Sequence, residues 1–541
     1  PAGAPSASRF PASSEKTGNA PAAFPARQKP PPRRAFPPLR NHTLGAAMSA
    51  PATPALCRQI AFFALGPLLC FSLKDLPPLK GMNPDGMVCL AGCAWLMLWW
   101  MTEVLPLPVT SLMAVPIFGF LGVMAPDKVF ATIGHPAMML IFGATIIVGV
   151  WKESNLIERY AYWCFNLPFV RGNPVRMVLI FTFGAGVMSA IAPNIPLTIL
   201  FISIAVAIGK SCNLAPDNNM MRSLCTLSAI APALGGVGTP LGGAPNIVVI
   251  AIVATVLGHD ITFWEWSALG MPLVFVTLFA CFAITALLFP VGKAGKGFSM
   301  PEDYLKKKIE ALGPVSAHEH AAIWIMVVAL ALWCSGPQIF SALGLEEEAR
   351  MMTAPVIAVL MGASAFLVPI RRDRESGRLI FAMNWDQAVR NIGWGIIVLQ
   401  IGAIAFGQVL LKGGVDKWMA QCIQMLLGDI HGLLVWFALV FITGFFSQII
   451  MSLAVIPLML PITAGLAGIY GFDPLLACIS VGFVSNLTTM FPFSSVPVAA
   501  VIAGSEGYAQ PKDFIISGFL NTTIVTVITF GLCWLVGPMV L

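Results

Sequence analysis

Along most of the chain, polar positions come in short clusters between long apolar runs. Runs near the twenty residues or so that cross a roughly 30 Å hydrocarbon core fall at 57–73, 86–101, 107–124, 136–151, 223–257, 265–289, 319–336, 351–370, 391–411, 474–503 and 514–538. Two further apolar regions, 177–209 and 432–470, are too long for one crossing and are interrupted at polar or proline residues. Each predicts a hairpin that enters and leaves on one side. The pattern predicts an all-α polytopic membrane protein with about 11 transmembrane helices and two re-entrant hairpins.

The basic residues test this count. With a cytoplasmic N-terminus, the inner segments 152–176, 210–222, 291–317, 371–390 and 504–513 hold 17 Lys and Arg. The outer segments 74–85, 125–135, 258–264, 337–350, 412–431 and 471–473 hold 6. Cytoplasmic loops carry the excess of bases in membrane proteins, so the asymmetry supports the crossings, the hairpins and the orientation together. The longest polar interruption between spans, 291–317, contains Lys306, Lys307 and Lys308 and is expected as a cytoplasmic linker. It separates a first half, 57–290 with hairpin 177–209, from a second, 318–541 with hairpin 432–470. Each half shows spans, a hairpin, a long span broken by Gly or Pro, and a final span. Five crossings separate equivalent points, which gives the halves opposite orientation, the inverted repeat of many secondary transporters. Two unrelated helical bundles are the plain alternative.

Composition agrees and adds one restriction. Of the 541 residues 57% are hydrophobic and 10% charged, against roughly 25% charged in soluble domains. The formal net charge of +6 lies wholly in residues 1–47, with seven bases and one acid; residues 48–541 carry 24 of each. A neutral body excludes a basic nucleic-acid-binding surface. The twelve cysteines lie mostly inside apolar stretches without paired Cys-x-x-Cys motifs, so they are expected as small buried hydrophobes. Residues 1–47, with ten prolines, are expected to be a disordered tail. Met48 is a candidate true start, and a basic, acid-poor transit peptide is its rival. The expected location is a bacterial inner membrane with a cytoplasmic N-terminus, or an organelle membrane if the tail is a targeting segment.

Backbone at membrane depth is helical unless it lines a cavity, so breaks are informative. The first hairpin breaks at Ser189-Ala190-Ile191-Ala192-Pro193-Asn194, with Thr198 one turn on, and its partner span reads GGVGTPLGGAPN over 235–246. The second hairpin is expected to break around Thr443–Gln448, with Ser452 following, and its span carries FPFSSVP over 491–497. By symmetry the four breaks converge near the midplane. Half-helix N-termini suit an anion, and carbonyls at half-helix C-termini suit a small cation. Residues 177–209, 223–257, 432–470 and 474–503 contain no Lys, Arg, Asp, Glu or His. Proton coupling usually needs an intramembrane carboxylate or histidine, so sodium coupling or anion exchange is favoured. The plain alternative is that Asn194, Asn246 and Gln448 only hold helices together. Trp95, Trp99 and Trp100 are expected as an interfacial belt and Glu103 as a capping residue; His318 and His320 do not have the spacing of a metal site. No constellation of an enzyme is present.

These residues resemble the divalent anion:sodium symporter family, whose members carry dicarboxylates, citrate or sulfate. WWMTEVLPLPVTSLM over 99–113 is similar to its tryptophan-rich motif, and GGVGTPLGGAPNIV over 235–248 to its glycine-rich break. Trp264-Glu265-Trp266, Leu312-Gly313-Pro314, Gly507-Tyr508 and Lys512-Asp513 extend the likeness from about residue 57 to the end. The family's Ser-Asn-Thr triplets at the hairpin tips read here Pro193-Asn194-Ile195 and Met451-Ser452-Leu453, and its Thr-Pro-Pro reads Ser495-Val496-Pro497. Ser189 and Thr198 match hydroxyl positions beside the first triplet.

The resemblance implies a homodimer in the lipid bilayer that moves a small divalent anion, di- or tricarboxylate-like or sulfate-like, with sodium as coupling ion and no other cofactor. Ser189, Asn194, Thr198, Asn246, Gln448, Ser452, Ser494 and Ser495 are the expected anion-site residues. Ser189, Asn194, Gly238, Thr239, Gly242, Gly243 and Ser447 are the expected cation-site residues, with no metal site beyond sodium. A sodium-independent anion exchanger is the alternative within transport, and a non-transporting membrane scaffold or sensor is the alternative from another class.

Overall fold

The computed structural model describes residues 54–170, 173–291, 302–374 and 377–541. The expectations for residues 1–47, and for 292–301 of the linker, lie outside them. The described chain is almost wholly helical, with one antiparallel ribbon of Pro369–Arg372 against Leu379–Phe381. Among the described residues eight helices are long and apolar enough to cross a membrane by themselves, including Pro136–Glu153, Phe263–Leu288, Ala317–Ala342, Trp394–Gly413 and Pro511–Leu535. Shorter apolar helices, such as Gly86–Thr102 and Pro174–Ser189, pack among them.

Local sequence sets the ends. Thr262 with Glu265, and Ser316 with Glu319, form capping boxes that start the two 26-residue helices. At about 1.5 Å per residue each is ~39 Å long, ample for the hydrocarbon core. Their outer faces leave Phe279 and Trp324 exposed, as suits lipid.

Both halves repeat one order. In the first half the hairpin arms Pro174–Ser189 and Asn194–Ser211 precede the broken span Asn219–Gly235 and Ala244–Leu257, then Phe263–Leu288. In the second, the arms Gly432–Ile449 and Ser452–Tyr470 precede Pro474–Ser485 and Val496–Gly504, then Pro511–Leu535. The halves interlock. Ala244–Leu257 packs on Ser452–Tyr470 and Pro474–Ser485, while Val496–Gly504 packs on Asn194–Ser211 and Asn219–Gly235.

Two ion pairs tie the polar ends of this bundle. Arg222 donates to both carboxylate oxygens of Asp513, at 2.5 and 3.1 Å, and lies 4.4 Å from the Phe289 ring centre. Arg159 bonds Glu319 at 2.5 Å and also donates to the carbonyls of Leu312, Gly313 and Pro314. The pair thereby clamps the end of the linker.

The structure corrects several expectations. The second hairpin turns at Ile450–Met451, and Thr443–Gln448 is helical, because Gly444 is held inside the helix by packing on Thr522 and Thr526. The second broken span opens at Asn486, five residues before Phe491. The apolar run 351–370 is only an eleven-residue helix, Ala354–Ser364, followed by a turn into the ribbon at Pro369. At ~16 Å that helix falls well short of a full crossing. The run 107–124 is split into Leu107–Leu112 and Ala114–Phe120, since Pro116 has no N–H for the carbonyl of Leu112. The tryptophans are not an interfacial belt: Trp99 and Trp100 are buried, Trp99 stacked on Phe63 and Trp100 donating to Ser111. Glu103 ends its helix in the left-handed conformation, as a cap residue does.

Candidate functional site

The four breaks meet around a cavity of about 470 Å³. Its wall takes Pro193–Pro196 from the first hairpin, Leu241–Pro245 from the first broken span, Met451–Leu453 from the second hairpin, and Asn486, Thr488, Ser494, Val496 and Pro497 from the second broken span. Four helices begin in these stretches: Asn194–Ser211, Ala244–Leu257, Ser452–Tyr470 and Val496–Gly504. A helix N-terminus acts as roughly +0.5 of a charge and a C-terminus as roughly −0.5; here the four N-termini line the wall, while the four helices that end at the same breaks stop behind it. The free N–H groups at the wall suit an anion without a basic side chain. Side chains of Asn194, Ser452, Asn486, Thr488 and Ser494 add polar groups to the same wall.

The first half places carbonyl oxygens behind this wall. Ser189 Oγ donates to Asn194 Oδ1 at 2.5 Å. Pro193 sits four residues after Ser189 and has no N–H for its carbonyl. A Cβ at Gly242 would lie 2.6 Å from that Ser189 oxygen and collide with the carbonyl of Gly236. The missing side chain at Gly242 therefore leaves a cradle between two carbonyls, a donor set that suits a small hard cation such as sodium. Asn246 Nδ2 donates to the carbonyls of Gly236 and Thr239, each at 2.7 Å, which leaves Gly236 a second lone pair. Thr239 Oγ1 donates to the carbonyl of Ala190, stitching the break to the hairpin.

The second half is built around Gln448. Its Oε1 accepts from the N–H of Thr489 at 2.9 Å and Met490 at 3.1 Å, while Nε2 donates to the carbonyls of Gly444 and Leu487. Ser494 Oγ donates to the Gln448 carbonyl at 2.6 Å. The halves are joined by Asn486, whose Nδ2 donates to Asn246 Oδ1 at 3.1 Å.

The structure sorts the expected residues into two layers. Asn194, Gly242, Gly243, Ser452 and Ser494 line the cavity. Ser189, Thr198, Asn246, Gln448 and Ser495 lie outside that lining. Ser189 and Asn246 lie one bond behind the wall, because their polar atoms are taken up in holding the breaks. Gln448 staples the second break, and Ser495 caps Val496–Gly504 through the N–H of Val498. Thr198 is buried on the second arm, with no partner for its hydroxyl among the described residues. Gly238 and Thr239 sit within the first break, and Ser447 returns its hydroxyl to the Thr443 carbonyl at 2.9 Å. Among the described residues no cluster of three or more His, Cys, Asp or Glu could hold a metal.

Sequence reasoning missed Asn486 and Thr488, since SNLTT over 485–489 holds no Gly or Pro to mark a break. It also missed the lateral wall of Thr145, Lys152 and Asn391, although Ile141, Thr145, Val148 and Lys152 share one helical face. Gln400, buried and donating to the Ile247 carbonyl at 3.3 Å, carried no signal beyond being a polar residue in an apolar run.

Residues 97–468 and 349–541 match the family profile described as citrate transporter. The chain is 24% identical over 489 residues to the sodium-dependent dicarboxylate transporter SdcS of Staphylococcus saprophyticus, covering 89% of this chain and 92% of that protein. It is 26% identical over 510 residues to SdcS of Staphylococcus aureus, covering 90% and 93%. Among solved structures it resembles the Alcanivorax borkumensis YdaH transporter, with a TM-score of 0.51 and 13% identity over 89% of this chain and 98% of that one. Neisseria gonorrhoeae MtrF gives a TM-score of 0.50 and 12% identity over 88% and 94%. At such identities these two likenesses speak for the fold alone.

Proposed function

We propose, from the premise that the chain belongs to the citrate transporter family, that it carries a small divalent anion together with sodium by alternating access. Membership makes it a membrane-embedded secondary transporter and not an enzyme. The observation that carries the substrate class is the convergence of four helix N-termini on one cavity. Free N–H groups of the four N-termini at the wall can hold two carboxylates without a salt bridge, and a bound ion that is not locked to an arginine can also leave. Pro193, Ile195, Pro196 and Leu453 present apolar surface beside the polar groups, which favours an anion with a carbon skeleton over sulfate.

Asn194 and Ser452 orient the anion, while Ser189, Asn246, Gln448, Asn486 and Ser494 hold the breaks that aim the N-termini. Sodium, carried as co-substrate, would take the carbonyls of Ser189 and Gly236 beside Gly242, and Asn194 Oδ1, which accepts from the Ser189 hydroxyl, ties the hairpin tip to them. Coupling follows from shared parts: Asn194 lines the anion cavity and belongs to the cation cradle, so filling one site orders the other. The staphylococcal relatives are named sodium-dependent dicarboxylate transporters, and the cradle supports the same coupling here. The repeated order of the two halves supports an inverted repeat, and the sorting of bases supports a cytoplasmic N-terminus. Location in a bacterial inner membrane and a homodimeric assembly complete the proposal.

The test is uptake of labelled succinate, citrate and sulfate into proteoliposomes, with and without a sodium gradient and with trans-loaded anion. Succinate or citrate uptake driven by sodium is expected. No uptake of any anion would end the transport proposal; uptake that needs only trans-anion would replace symport by exchange.

A further inference from the structure

One wall of the cavity is a single helical stripe. Ile141, Ala144, Thr145, Val148, Gly149 and Lys152 follow one another on Pro136–Glu153 at the three- and four-residue spacing of one helix face. Eleven residues separate its ends, about 16 Å at 1.5 Å each. The stripe therefore leads from the apolar interior at Ile141 to Lys152 in the last turn, where the side chain is exposed. Among the described residues that line the cavity, Lys152 alone carries a charge.

Its sequence neighbour Glu153 does not pair with it. The Glu153 carboxylate is held by Asn391 Nδ2 at 2.9 Å and Gln387 Nε2 at 3.2 Å. Among the described residues no ion pair forms to Lys152. Asn391 both lines the cavity and holds Glu153, so the mouth presents an unpaired ammonium group and an amide, with the carboxylate behind the amide. The helix-dipole field that receives the anion falls off within about one turn. A lysine at the mouth reaches about 8 Å into solution at physiological ionic strength and raises the local concentration of a dianion more than that of a monoanion.

We infer that Lys152 is the recruiting cation of this transporter, a positioning residue that selects doubly charged anions at the mouth and passes them to the charge-free site. The inference rests on the anion-transport reading. The competing role is structural: a lysine in the last turn also complements the helix dipole, which would affect stability and leave the apparent affinity untouched.

Initial rates of labelled succinate, citrate and sulfate uptake separate the two roles. The parent, Lys152→Gln, Lys152→Arg and Lys152→Glu are reconstituted with the cytoplasmic face outward, so that the labelled anion meets the mouth that carries Lys152, and assayed at fixed sodium, with ionic strength raised by choline chloride. For the anion that the parent carries best, Lys152→Gln is expected to raise KM about tenfold at low ionic strength, within the range of electrostatic steering, with Vmax within about twofold. The difference should vanish at high ionic strength, Lys152→Arg should restore KM, and Lys152→Glu should raise it further. An unchanged KM in Lys152→Gln, or no rescue by Lys152→Arg, overturns the inference while the transport reading stands. No uptake by the parent overturns both.

Discussion

The two hairpin-and-break assemblies share an order of elements but solve the backbone problem differently. Around Gly242 the first break is held by close backbone packing and by Asn246, whose amide donates to the carbonyls of Gly236 and Thr239, and the carbonyl of Ser189 has no N–H from Pro193 to occupy it. Around Gln448 the second break is held by a side-chain amide that donates to two carbonyls and accepts two N–H groups. The first arrangement leaves the Ser189 carbonyl and a second lone pair on the Gly236 carbonyl for an ion. In the second, the protein's own donors take the carbonyls of Gly444, Gln448 and Leu487. Two halves of one order therefore need not bind two equivalent cations, and the contrast supports the cation site proposed in the first half.

The largest effect should come from the backbone packing. A Cβ at Gly235 would fall on the backbone of Gly186, whereas one at Gly444 meets the side-chain methyl of Thr526. Backbone cannot step aside as a methyl can, so Gly235→Ala should cost at least the upper end of the ~1–3 kcal/mol typical of overpacking, and Gly444→Ala near the lower end. Thermal unfolding of the two variants in detergent checks the order. A larger loss in Gly444→Ala would break the contrast.

A smaller pair of effects sharpens it. Gln448→Ala removes four hydrogen bonds, which at about 0.6 kcal/mol each within a membrane amounts to roughly 2 kcal/mol. It should lower the unfolding temperature while leaving the steepness of the sodium dependence unchanged. Ser189→Ala removes one such bond, about 0.6 kcal/mol, yet disturbs Asn194 and the cradle. It should raise the sodium concentration for half-maximal uptake about tenfold with little loss of stability. Titrating sodium against initial uptake rate for both variants decides the matter; equal sodium shifts would mean that both halves bind the ion.

What the sequence made legible follows the same contrast. The first break was visible because glycine and proline mark it residue by residue, from Gly235 to Pro245. The second was misplaced because Phe491-Pro492 is louder punctuation than Asn486-Leu487, and the hairpin tip at Ile450-Met451 carries no turn residue at all. Packing on Thr526 keeps Gly444 helical, and that is a tertiary fact. Hydropathy also merged Ala354–Ser364 with the strand that follows, since Val368 and Ile370 are as apolar in a ribbon as in a helix. Lys152 was counted as a cytoplasmic base, which its charge suggests; only the shared face with Ile141 and Val148 ties it to the cavity.

The smallest effect tests whether the contrast stops at the breaks. Thr198 and Thr443 each carry a buried hydroxyl that has no partner among the described residues, one in each hairpin. Neither lines the cavity. A buried hydroxyl without a partner carries a desolvation cost, and replacing it by a methyl of similar shape removes that cost. Thr198→Val and Thr443→Val should therefore be neutral or slightly stabilising, and KM for anion and sodium should stay within about twofold of the parent, the scatter expected when no ligand contact is lost. If Thr198→Val alone raised either KM, the hydroxyl would have to turn toward the site in another state of the transport cycle, and the first half would then hold its ligands with the hairpin arm as well as with the break. Equal, small responses would confine the difference between the halves to the few residues that hold each break.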